Sequence, residues 1–114
     1  MKTTLKERLL DALNACHAIQ SFVANCTFAE YEQNQMLRST VERPFEIIGE
    51  ALNQAEIDSP ELSALIPDVR RIVGMRNRII HGYANVDDEL LWQTIQPHVP
   101  PLTQRLTELL ESDT

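Results

Sequence analysis

Glycine is scarce in this chain, three in 114 residues, and the apolar residues are mostly Leu, Ile and Ala. That combination disfavours sheet and favours helix. No stretch reaches the length of about 18 apolar residues that a transmembrane helix requires. The opening MKTTLKERLLDALN is amphipathic with charges throughout, which is not a signal-peptide pattern, so a cytoplasmic protein is expected. Cysteine is limited to Cys16 and Cys26. Ten residues of helix separate two groups by about 15 Å, too far for a disulfide within one helix, so both are expected to be reduced and buried. Two isolated cysteines and three scattered histidines have no metal-ligand spacing, and neither a metal nor a cofactor is expected. A net charge of −7 argues against a general nucleic-acid binder. Its distribution is uneven, however: the only lysines are Lys2 and Lys6, while Arg38, Arg43, Arg70, Arg71, Arg76 and Arg78 occupy the middle of the chain. These arginines are either a solvated charged surface or a focused basic cleft on an acidic body.

The length fits one domain, residues 1–114. Thr4 with Glu7 is a capping-box pattern that opens a helix with Leu5, Leu9, Ala12, Leu13, Cys16, Ile19 and Val23 along one face. His17 beside that face reads as a surface or packing residue. Thr27 with Glu30 repeats the capping signal, so the chain turns near 25–27. A second pattern, Leu37, Val41, Phe45, Ile48, Leu52 and Ala55, contains Pro44, which predicts a kink or break just upstream. Gly49 costs about 1 kcal/mol in helix propensity against alanine, and close approach of a neighbouring helix would explain it. The loop-like DSPELSALIPD leads to a third helix, from about Asp68 through Ile80, which Gly82 stops. Asp87 and Asp88 start a short helix ended at Pro97, with Trp92 in the core. Pro100 and Pro101 open a last helix carrying Leu102, Leu106, Leu109 and Leu110, and His98 falls in the loop between them. The expected fold is all-α, an antiparallel bundle of four to five helices with no strand-period segments.

The segment RNRIIHGYANVD, residues 76–87, places Arg76, His81 and Tyr83 within eight residues. Five positions apart on a continuous helix, Arg76 and His81 would lie about 140° apart, so they converge only where the helix ends. Asn77, four residues before His81, is placed to orient the imidazole. An arginine beside a titrating histidine can cleave RNA: the 2′-hydroxyl attacks the adjacent phosphate, histidine moves protons, and guanidinium stabilises the charged phosphorus centre. The step needs both an acid and a base, and one histidine per chain therefore points to a two-fold homodimer. The bland alternative pairs Arg76 with an acidic neighbour, uses His81 as a helix cap and packs Tyr83 at its edge. Glu50 reads as a plain helix-face carboxylate, with positioning of a motif arginine as the alternative.

Three blocks, EIIGEA at 46–51, VGMRNRIIHGYANVD at 73–87 and LLWQTIQPHVPPL at 90–102, together resemble the HepT-like toxins of the HEPN superfamily. The family's Arg-polar-x3-His-x-Tyr signature falls on Arg76, Asn77, His81 and Tyr83 without a gap. The resemblance implies a HEPN-like, homodimeric, metal-independent endoribonuclease, often acting on tRNA, in a type VII-like toxin–antitoxin system. It also implies a partner, a minimal nucleotidyltransferase (MntA-like) antitoxin that silences the toxin by adenylylating Tyr83. The competing function is a non-catalytic subunit that presents a nucleotide to a nucleotidyltransferase, with Arg76 and His81 holding phosphate but cleaving nothing.

Overall fold

The computed structural model describes residues 1–81 and 85–113; for Ile80, His81 and Asn85 it describes the backbone. Among the described residues there are six helices: α1 (Thr3–Val23), α2 (Phe28–Gln33), α3 (Gln35–Asp58), α4 (Leu62–Leu65), α5 (Val69–Ile79) and α6 (Asp88–Ser112). Helix α1 packs on α3 and α6, and α5 packs mainly on α3. The core forms where the three-four patterns of the long helices meet: Leu9, Cys16 and Ile19 of α1, Val41, Phe45, Ile48 and Leu52 of α3, Val69, Ile72 and Ile79 of α5. Both thiols are free, and burial pushes that of Cys16 up to about 12, leaving it a small apolar core residue. The all-α expectation holds, and none of the described helices is long and apolar enough to cross a membrane.

Several boundaries differ from the sequence reading. Helix α6 is one continuous helix that runs through Pro97, Pro100 and Pro101, where two helices were expected, and His98 sits within it rather than in a loop. Leu91, Ile95, Val99, Leu102, Leu106 and Leu110 keep an unbroken helical period straight through the prolines, and all six are buried. The prolines themselves lie on the exposed side. Each lacks the amide that would bond the carbonyl four residues back, that of Gln93, Gln96 or Pro97, and these three residues are exposed as well. Continuous burial on one face outweighs the missing bonds on the other. Helix α3 likewise continues through Pro44, which rules out the break but not the kink that were the two expectations there. Thr4 and Glu7 do not cap α1, which starts two residues earlier with Lys2 at its N-cap and no side-chain cap bond. Thr27 and Glu30 do form a reciprocal capping box, at the start of α2. Asp87 caps α6 by accepting from the Leu90 amide at 3.0 Å. Trp92 is partly buried, stacked at tilted angles on Phe28 and Tyr31, with ring centroids 6.1 and 5.0 Å away. Those contacts tie α2 to α6.

The third helix ends at Ile79, before the expected Ile80. Two two-residue strands follow, β1 (Ile80–His81) and β2 (Asn85–Val86), paired antiparallel with Ile80 opposite Val86 and His81 opposite Asn85. They were not foreseen, because two residues are too few to show an alternating period. The Asp87 amide donates to the Ile79 carbonyl at 2.9 Å and closes the base of this hairpin. Gly82, to which the helix stop was assigned, lies outside the described residues.

A polar cluster joins α3 to the start of α6. Arg38 bridges Asp88 at 3.4 Å and donates to the carbonyl oxygens of Tyr31 and Glu32. Glu42 shares this space, and burial, then its contact with Asp88, raise its carboxyl to about 7; Arg38 opposes the shift and Glu46 adds to it. A carboxyl that ionises later in the folded state than in the unfolded chain holds an extra proton between its two pKa values. Stability therefore falls as pH rises from about 4.5 to about 7, and levels off above that. Glu42→Gln removes this slope, so the variant is expected to melt higher than the parent at pH 8 and to lose most of that advantage at pH 4.5. Thermal melts across this range test the assignment; a parent-minus-variant difference that stays constant with pH refutes it.

Candidate functional site

Helices α3 and α5 meet at Gly49. A Cβ built on that glycine would lie 2.6 Å from Cγ, 2.9 Å from Cδ and 3.0 Å from Cβ of Arg76. No side chain larger than hydrogen fits, so the glycine is what allows the arginine stem to lie across α3. The close approach anticipated from the helical glycine is therefore present, and it is made by the motif arginine itself.

At the end of that stem the guanidinium meets a set of acceptors. Arg76 Nη1 donates to Asn77 Oδ1 at 3.0 Å, while Nη2 lies 3.5 Å from Glu50 Oε1 and 3.6 Å from Glu46 Oε1. Its Nε is buried without a hydrogen-bond partner among the described residues. Glu46 and Glu50 are one turn apart on α3, so both carboxylates reach the same cation. Partly exposed pairs of this kind contribute about 0–1 kcal/mol each, so their main effect is to fix where the guanidinium points. Glu50 thus takes the positioning role that had been the alternative reading. Glu46 was not singled out from the sequence, although its four-residue spacing from Glu50 in EIIGEA was the available signal.

The described contact of Asn77 is to Arg76. The helical i,i+4 relation expected between Asn77 and His81 does not exist, because α5 ends at Ile79 and the His81 backbone belongs to β1. The His81 backbone pairs with Asn85, one step beyond the Ile80–Val86 pair at the base of the hairpin; Tyr83, the expected modification site, lies outside the described residues. No group of three or more His, Cys, Asp or Glu among the described residues is placed to hold a metal ion.

An open groove of about 880 Å³ between α1 and α3 adjoins the arginine cluster through Glu50. Phe22, Ala18 and Ile47 give it apolar walls, and Arg8, Asp11 and Arg43 give its rim both signs of charge. A second open groove, of about 520 Å³, runs along the outer side of α5 and includes His98. The mid-chain arginines divide between the two sequence readings. Arg38, Arg43, Arg70 and Arg76 have carboxylate partners, whereas Arg71 and Arg78 have no ion-pair partner among the described residues.

The contact at Gly49 can be tested through stability. Gly→Ala in a helix interior ordinarily stabilises by about 0.5–1 kcal/mol. Gly49→Ala is expected to do the opposite, with a loss of about 1–3 kcal/mol typical of overpacking. Adding Arg76→Ala should recover part of that loss. Chemical denaturation of the two single variants and the double variant measures the coupling, and a stabilised Gly49→Ala protein would show that Arg76 does not lie over Gly49.

Comparison with known proteins identifies the family. The profile of the family described as Ribonuclease HepT-like matches residues 12–109. A probable ribonuclease HepT of Thermococcus cleftensis is 32% identical over 109 residues, covering 96% of this chain and 98% of its own. A candidate RNase of Methanocaldococcus jannaschii is 32% identical over 105 residues, covering 92% and 95%. Another, from Caldanaerobacter subterraneus, is 29% identical over 101 residues, covering 89% of each chain. No solved structure gives a significant match. With a family match over most of its length and relatives that align nearly end to end, this chain belongs to the HepT-like ribonuclease family.

Proposed function

We propose that this protein is the toxin of a type VII-like toxin–antitoxin system: a single-domain, cytoplasmic, metal-independent endoribonuclease that cuts RNA, tRNA among its substrates, at a cleft between two copies of the chain. The observation that carries this reading is the held guanidinium of Arg76, fixed by Glu46, Glu50 and Asn77 at the end of α5, just ahead of the strand that contains His81. Family membership makes RNA the natural ligand for that cation.

In the proposed reaction the RNA 2′-oxygen attacks the adjacent phosphorus while one His81 accepts the hydroxyl proton. The bond to the 5′-oxygen breaks, and the His81 of the other copy donates a proton to it. The products are a 2′,3′-cyclic phosphate and a free 5′-hydroxyl. Arg76 stabilises the extra negative charge on the phosphoryl oxygens, an effect worth about 10²–10³ in rate for one well-placed donor. Asn77 supports Arg76 by accepting from Nη1. Each copy supplies one histidine, so the acid–base pair requires the homodimer.

Silencing is assigned to Tyr83 on its place in the motif. Tyr83 lies two residues beyond His81 in sequence. AMP transferred to its hydroxyl by a minimal nucleotidyltransferase of the MntA type places a phosphodiester anion and a bulky base beside the cleft. That anion competes with RNA phosphate for Arg76.

Purified protein should cleave RNA in EDTA and leave 2′,3′-cyclic phosphate ends. His81→Ala and Arg76→Ala should each lower kcat/KM by at least about 10²-fold with little change in fold. Light scattering should give twice the 13.0 kDa chain mass. Activity lost in EDTA, full activity of His81→Ala, or a monomer at all concentrations would each count against this mechanism. For the silencing step, intact mass after incubation with the partner and ATP should rise by AMP units for the parent but not for Tyr83→Phe. Equal modification of both excludes Tyr83.

A further inference from the structure

Helix α5 has a second functional face. Gly74 and Met75 lie three and four residues after Arg71, and Arg78 lies four and three residues after them, so the four form a single stripe. With Arg70 and His98 of α6 they line the open groove along the outside of the helix, and no carboxylate is among its lining residues. Arg71 and Arg78 are exposed and have no ion-pair partner among the described residues, on a chain whose net charge is −7. Most mid-chain arginines are neutralised locally, and these two are not.

Gly74 supplies an independent observation. A Cβ built there meets nothing within 4 Å, in contrast to Gly49. Alanine would fit this chain and would favour the helix, so internal packing does not account for the glycine. Its absent side chain leaves a shallow bed between the two guanidinium groups, open to the backbone of something outside the chain.

We infer that this stripe is a phosphate-binding track for single-stranded RNA, separate from the Arg76 centre, in which Arg71 and Arg78 each hold a backbone phosphate and Gly74 lets the strand lie close to α5. The inference rests on the ribonuclease reading for the identity of its ligand. Seven residues of helix separate the two arginines by about 10.5 Å. Arg78 comes two residues after Arg76, roughly 160° away around the axis. A strand that reaches both passes over the end of α5, where β1 contains His81. The track therefore extends the contact surface beyond the cleavage point and holds flanking nucleotides.

The test is fluorescence anisotropy of a labelled 2′-O-methyl oligoribonucleotide, which keeps the phosphates but cannot be cleaved, titrated at several salt concentrations. Arg71→Ala/Arg78→Ala should weaken binding by about ten-fold or more and lower the log–log salt slope by about 1.4, two contacts at 0.7 each. Lys6→Ala/Arg105→Ala, with the same change in net charge elsewhere, should bind as the parent does. Gly74→Ala should raise the melting temperature, and Gly74→Leu should weaken oligonucleotide binding. Binding by Arg71→Ala/Arg78→Ala that equals the parent overturns the track, and is also the result expected if an acidic protein occupies the groove instead. Failure of the parent to bind the probe overturns it too. A parent that binds through Arg71 and Arg78 but never cleaves RNA leaves the track standing and defeats the ribonuclease reading alone.

Discussion

The packing of Arg76 against Gly49 is the contact on which the rest of the site depends. It fixes the separation of α3 and α5 by steric exclusion, which is insensitive to salt and pH, and only then do the weaker polar contacts act. Glu46 and Glu50 would contribute little as isolated surface pairs. Because the stem is already immobilised, they need supply only the last increment of orientation to the guanidinium. Carbon packing sets the position of the cation, and charge sets its direction. The Nε is buried and has no hydrogen-bond partner among the described residues, so among those residues the stem is held by packing and not by a bond at Nε.

The buried helix faces and the arginine end of the candidate site were legible in the sequence because their determinants are local. Spacing identified the buried faces of α1, α3 and α5, and the rarity of glycine drew attention to position 49. What local patterns missed was decided by tertiary contacts. Three prolines within five residues signal a break, yet the apolar period from Leu91 to Leu110 continues across them, and burial against the core keeps the helix in one piece. Val99 is the residue that connects the two halves of that period, and with it included the sequence does predict continuity. Thr4 and Glu7 have the spacing of a capping box but fall inside a helix that begins earlier. The hairpin after Ile79 had no periodic signature; it depends on a backbone bond from Asp87, eight residues along.

The charge distribution illustrates the same limit. A net charge of −7 argued against nucleic-acid binding, but a sum over the chain says little about any one face. Here most of the arginines in the centre of the sequence are spent on neighbouring carboxylates, which leaves the positive potential concentrated along one side of α5. A small enzyme with an acidic body and a narrow basic band repels most polyanion approaches and admits few. Sequence spacing shows which arginines share that band, but only the packed structure shows which of them remain free.

The three prolines of α6 have a mechanical consequence. Between Gln93 and Pro101 the helix lacks three of its rungs, all on the side facing water. The two halves of α6 are joined there by a waist whose stiffness comes from Leu91, Ile95, Val99 and Leu102 gripping the core, and much less from the backbone. Bending that opens the exposed side at that waist meets three fewer hydrogen bonds than in a helix without prolines. The half that begins at the hairpin beside His81 can thus tilt relative to the half that anchors α1, as a beam tilts on a flexure.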